Sequence, residues 1–225
     1  MNWESILKTE KRPDRPPVKN YFLYYFVKVT GIFPAPFVMP KVIFKDKSMK
    51  RIPKGKLIII SNHTSFTDVS AILCAFWYRQ LHFLAASELF ETKLGNFFFR
   101  NMHCIKVDRQ NLNMSVMRQV GDVFKRDKPV AIFPEGRIGQ SDGEIEGFKS
   151  GVAVMAIMNR CPVLPIYLTK PEGKRRKVLV VGEPIELQYL GKFPSVKELE
   201  DISADLRARE IELENYYKET YDGRL

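Results

Sequence analysis

From Leu57 onward the chain alternates short apolar runs with helix-length segments, and few folds accept that alternation. Leu57–Ser61 (LIIIS) reads as a buried strand, followed by a helix that begins near Ser65 and continues through residues 71–77. A second strand is expected over His82–Ala86 and a third over 105–108. A helix over 114–126 then places Val116, Val120, Val123 and Phe124 on one side. Residues 130–133 form the fourth strand. The pattern recurs more weakly as a helix over 147–158, strands over Val163–Leu168 and 177–181, and a charged amphipathic helix over 195–218. Such alternation specifies a layered α/β domain with a mixed, largely parallel central sheet flanked by helices. The chain has 225 residues, 45% of them hydrophobic, which supplies one sizeable core and a short appendage.

The appendage is expected over residues 1–50 and the main domain over 51–225. Its most apolar part, 21–40 (YFLYYFVKVTGIFPAPFVMP), is interrupted by Lys28, Gly31, Pro34, Pro36 and Pro40. A bilayer-spanning helix needs roughly 20 apolar residues in one run. The segment therefore reads as a helix over about 20–30 and a Pro-rich turn, lying at a membrane interface with its aromatics inward and its lysines snorkelling. A net charge of +10 (36 Lys and Arg against 26 Asp and Glu) favours an anionic partner, either a lipid surface or nucleic acid. An RNP-type signature, a zinc pattern and a clear recognition helix are all lacking, which argues against nucleic acid. Aromatics beside lysines favour the lipid headgroup region, where each close Lys or Arg contributes roughly 1 kcal/mol. Cys74, Cys104 and Cys161 are odd in number and far apart, as expected of reduced thiols in a cytosolic compartment. Residues 2–19 lack the pattern of a signal peptide.

Three strand ends carry candidate chemistry. The first runs Ser61-Asn62-His63-Thr64-Ser65-Phe66-Thr67-Asp68. On a regular helix, residues five apart diverge by about 140°. His63 and Asp68 can meet only if His63 lies in the loop and Asp68 in the first helical turn, with Ser65 as the expected N-cap. Asp68 would then accept from one imidazole nitrogen and leave the other to take a proton from a bound hydroxyl. The plainer alternative is a helix cap, in which Asp68 only satisfies backbone donors. The second strand end, Phe133-Pro134-Glu135-Gly136-Arg137, presents a carboxylate, a glycine that permits close backbone approach and a guanidinium suited to phosphate. The third, Ile105-Lys106-Val107-Asp108-Arg109, presents two cations. His82 and His103 each open an apolar strand and are expected to be structural.

In order along the chain, these blocks resemble those of the glycerolipid acyltransferase family, which includes bacterial 1-acylglycerol-3-phosphate acyltransferase. Residues 62–68 are similar to its NHxxxxD motif, Gly95 through Arg109 to its second block, Phe133–Gly136 to FPEG, and Val163-Leu164-Pro165 to a terminal VxP. The resemblance spans about half the chain, and NHxxxxD followed by FPEG is a specific pair. It implies that His63 is the general base and Asp68 its orienting partner, with no acyl-enzyme. Lys106 and Arg109 would hold the acceptor phosphate, while Glu135 and Gly136 place the glycerol. It implies no metal and no bound cofactor, with acyl-CoA or acyl carrier protein bringing the acyl group to the sn-2 hydroxyl of lysophosphatidic acid. The expected location is the cytoplasmic face of the cell membrane, peripheral or monotopic.

Two positions depart from the family pattern. The chain continues FPEG with Arg137-Ile138-Gly139, so the guanidinium falls one place early. Ser87-Glu88-Leu89 stands where a Lys often precedes Glu. Both leave open a different lysolipid, amine or sugar-lipid acceptor, and a non-catalytic lipid- or nucleic-acid-binding protein is the reading of another class.

Overall fold

The computed structural model describes residues 21–30, 39–108, 114–136, 138, 145, 147–148, 150–170, 176–187 and 194–221. Its centre is a seven-stranded sheet in the order β1-β7-β6-β2-β5-β3-β4. The strands are β1 (Lys41–Phe44), β2 (Leu57–Ser61), β3 (His82–Ala86), β4 (Ile105–Val107), β5 (Pro129–Ile132), β6 (Val163–Leu168) and β7 (Val178–Val181). Every neighbouring pair is parallel except β6–β7. The helices are α1 (Phe22–Thr30), α2 (Asp68–Ala75), α3 (Lys93–Asn101), α4 (Met114–Phe124), α5 (Gly151–Asn159) and α6 (Val196–Tyr221), with a short 3₁₀ turn at Ser87–Phe90. A mixed, largely parallel sheet between helices is the architecture expected from the sequence.

Alternation along β2 divides the core. Ile58 and Ile60 pack with Val116, Val120 and Phe124 of α4, Val152 and Met155 of α5, and Leu206 of α6. Leu57 and Ile59 pack on the opposite face with Ala71, Ile72 and Ala75 of α2. Because side chains on a strand alternate between faces, one fully buried run feeds both layers. Burial of roughly 25 cal/mol per Å² of apolar surface makes these two layers the main source of stability.

Several local details differ from the sequence expectations. Residues 41–44, assigned above to the N-terminal segment, form β1 at the sheet edge and pair with β7 from Lys41↔Val178 to Phe44↔Val181. Helix α2 begins at Asp68, and its N-cap is Thr67, which makes no side-chain cap bond, so Ser65 does not cap it. Helix α3 was not anticipated and has no buried residue. Gly95 in its first turn is needed there, because a Cβ would run into the Leu89 carbonyl. His103 lies in the turn before β4 rather than opening it; its φ is 57°, and its ring stacks on Tyr21 at 3.9 Å.

Candidate active site

Parallel strands align their carboxyl ends, so the loops after β2, β5, β3 and β4 emerge along one edge of the sheet, where open α/β sheets bind ligands. Ile60 of β2 pairs with Ile132 of β5. The residues just beyond are therefore neighbours, and the His63 and Phe133 rings stack at 4.0 Å with 15° between planes. The Asn62 side chain accepts from the Leu168 amide and donates to the Leu168 carbonyl, both at 2.8 Å. It thus acts as a further rung between β2 and β6 and fixes the backbone where the histidine departs. This role was missed from the sequence, although Asn is one of the few side chains carrying both donor and acceptor in the peptide geometry.

His63 sits in the loop and Asp68 in the first turn of α2, as the spacing argument required. Nδ1 of His63 lies 2.9 Å from Oδ2 of Asp68. With Nδ1 donating to the carboxylate, Nε2 is left as the basic nitrogen. Oδ2 also accepts from the backbone amides of Thr64 at 2.6 Å and Ser65 at 2.8 Å. The helix-capping alternative is therefore realised as well: one carboxylate closes the turn and orients the imidazole. Its other oxygen, Oδ1, pairs with Lys177 Nζ. Asp68 is fully buried. Burial alone would raise its pKa, but hydrogen bonds from His63, Lys177 and the Ser65 amide, with the Lys177 charge, outweigh that and hold it at about 2. Lys177 was read from the sequence only as the start of a strand.

After β5 the chain turns through Phe133-Pro134-Glu135-Gly136, closed by the Gly136 amide donating to the Phe133 carbonyl at 3.0 Å. Gly136 has φ of 72°, a conformation that favours glycine. Glu135 is buried. It faces Glu210 of α6, which is fully buried with neither oxygen hydrogen-bonded among the described residues. Burial first and Glu135 second push the Glu210 carboxyl well above the usual range, against the pull of the Arg207 charge.

The cationic candidates are spread more widely. Lys106 is on edge strand β4, three strands from β2 and hence roughly 14 Å across the sheet, with its ammonium 6.0 Å from the Phe90 ring centroid. Arg109 and Arg137 lie outside the described residues. His82 donates from Nδ1 to the His103 carbonyl at 3.0 Å, and burial drives its imidazole down to about 4. The three cysteines are free thiols. No group of three or more His, Cys, Asp or Glu residues among the described residues could hold a metal ion.

A largely parallel α/β sheet carries a histidine–carboxylate pair at the end of β2, and the sequence places this chain in a family of group-transferring enzymes. Residues 42–169 match the model of the Acyltransferase family, more than half of the chain, and the chain belongs to that family. A 1-acyl-sn-glycerol-3-phosphate acyltransferase of Bacillus subtilis is 28% identical over 164 residues, covering 70% of this chain and 81% of the relative. An N-acylphosphatidylethanolamine synthase of Arabidopsis thaliana is 30% identical over 176 residues, covering 60% of this chain and 58% of the relative. The crystal structure of the 1-acyl-sn-glycerophosphate acyltransferase PlsC from Thermotoga maritima superposes with a TM-score of 0.61 at 22% identity, over 86% of this chain and 79% of that one. It shares the fold.

Proposed function

We propose that this protein transfers a fatty acyl group from a thioester donor, acyl-CoA or acyl carrier protein, to the sn-2 hydroxyl of lysophosphatidic acid, giving phosphatidic acid. The observation that carries the reading is the 2.9 Å contact between His63 and a buried, multiply bonded Asp68 carboxylate at the open edge of the sheet. Nε2 of His63 takes the proton of the acceptor hydroxyl as its oxygen attacks the thioester carbonyl. The tetrahedral intermediate collapses with cleavage of the C–S bond, the thiolate recovers the proton from the imidazolium, and the new ester remains. A thioester needs positioning and charge stabilisation more than activation, so two bound substrates and one base suffice. Lys106, Arg109 and Arg137 are assigned to the acceptor phosphate, and Glu135 and Gly136 to its glycerol.

The proposed reaction is placed at a lipid surface, on the cytoplasmic face of the membrane, where an acceptor carrying a fatty chain partitions. Among the described residues, no helix is long and apolar enough to cross a membrane. Exposed apolar side chains are nevertheless grouped on two helices: Phe22, Tyr25 and Phe26 on α1, and Leu94, Phe97 and Phe98 on α3 beside Lys93. Aromatics next to cations suit the headgroup boundary of an anionic bilayer.

Ile138, where the family usually carries arginine, and the plant relative whose name denotes acylation at nitrogen support a second reading with an amine-bearing acceptor. Presenting one labelled acyl thioester with lysophosphatidic acid, other lysolipids and phosphatidylethanolamine separates the two: fastest transfer to lysophosphatidic acid is expected. Amide formation in preference to ester would transfer the assignment to the second reading. His63→Ala is expected to abolish turnover with the fold intact by circular dichroism; retained turnover removes His63 from the mechanism.

A further inference from the structure

Lys177 lies beyond the segment that matches the family model, yet its side chain ends on the carboxylate that orients His63. Its ammonium also donates to Ser65 Oγ at 2.8 Å. The side chain is only 7% exposed. Its backbone is pinned from both sides: the Lys41 amide of β1 donates to the Lys177 carbonyl at 2.9 Å, and the following amide, Val178, donates to Thr169 Oγ1 at 2.8 Å. A buried lysine held this way is placed, since a solvated one would keep its head in water.

We propose that Lys177 is a positioning residue for the His63–Asp68 pair: it fixes the plane of the Asp68 carboxylate and offsets its charge, so that the imidazole is held with Nε2 towards the acceptor hydroxyl. A buried carboxylate beside an imidazole favours the imidazolium, which cannot accept a proton. With Lys177 on Oδ1 and imidazole on Oδ2, the carboxylate keeps its orienting hydrogen bond while part of its field is cancelled. Among the described residues, Glu135 after β5 and Glu210 of α6 also titrate near these strand ends, and the substitutions below leave both in place. The inference rests on the proposed role of His63 as base.

The test is the pH profile of kcat/KM for Lys177→Met, Lys177→Gln and Lys177→Arg in the full chain, with acyl-CoA and lysophosphatidic acid, beside the NMR titration of the His63 ring. Three histidines make that ring assignable. Removing the cation is expected to move the acid limb and the His63 midpoint to higher pH and to lower kcat at least tenfold with little change in KM. Arg is expected to restore the wild-type limb. An unchanged limb and midpoint in the Met and Gln variants overturns the inference, as does loss of the folded state in both, which would make Lys177 a structural residue. Full activity in His63→Ala would instead overturn the reading of the base itself.

Discussion

Two carboxyl groups are fully buried near the reactive edge, and the protein treats them in opposite ways. Asp68, on the α2 side, meets an imidazole, two backbone amides and an ammonium group, and is held at about 2. Glu210, on α6, meets no hydrogen-bond partner among the described residues, faces a second carboxyl, and is pushed well above the usual range. Burial opposes ionisation in both places, and local donors decide the outcome. The contrast teaches that depth does not set the charge of a site. The end that must orient a base carries an anion, while the supporting helix holds a carboxyl that burial biases towards its protonated form.

The sharpest break of this contrast is Asp68→Asn, which keeps the shape and removes the charge. We expect kcat to fall about 10⁴-fold, in line with orienting carboxylates elsewhere, with unchanged far-UV circular dichroism. A loss under tenfold would mean that the anion is not needed. Next is acid unfolding. The Asp68 pKa in the folded state is depressed, so its contribution is present above the unfolded value near 4 and is lost as pH falls towards 2. Its size is about 2 kcal/mol. The stability gap between wild type and Asp68→Asn is expected to close by that amount between pH 5 and pH 2, followed by denaturant titration. Glu210 has the opposite sign: with its folded pKa raised, its contribution is complete below the unfolded value and is lost as pH rises above it. Glu210→Gln is therefore expected to gain stability at pH 7–8 and not at pH 4, by roughly 2–4 °C per kcal/mol in a chain of this size. A uniform shift at all pH values would show that Glu210 is not held neutral. Smallest is Ser65→Ala, which removes one neutral donor and acceptor beside Lys177. A loss of roughly twofold to fivefold in kcat is expected from a net hydrogen bond of about 0.5–1 kcal/mol.

The same contrast shows what the sequence could reveal. The β2 run and the five-residue separation of His63 from Asp68 were readable because they are local: an apolar run ends, and only one loop-to-helix geometry lets the two side chains meet. Strand β1 was not readable, because it is four residues long with only Ile43 buried, and its partner lies far along the chain. Helix α3 buries nothing, so its apolar residues carry no core-facing stripe. Lys177 is brought to Asp68 by pairing between distant segments, and no spacing rule reports that. Glu210 left a usable trace. The buried positions of α6 include Leu199, Ser203, Leu206, Glu210 and Leu213, so a glutamate occupies a place in an apolar stripe of period 3.6.

The single antiparallel pair in the sheet has a consequence for how such a catalyst can be adjusted. A parallel return after β6 would need a crossover of a dozen residues or more and would begin its strand at the far end. The antiparallel β7 instead begins at the end where β6 stops, and Lys177, the residue before it, meets Asp68. Control of the carboxylate's surroundings thus resides in a ribbon outside the histidine loop, so exchanging that ribbon retunes the base while the bond-making parts stay where they are.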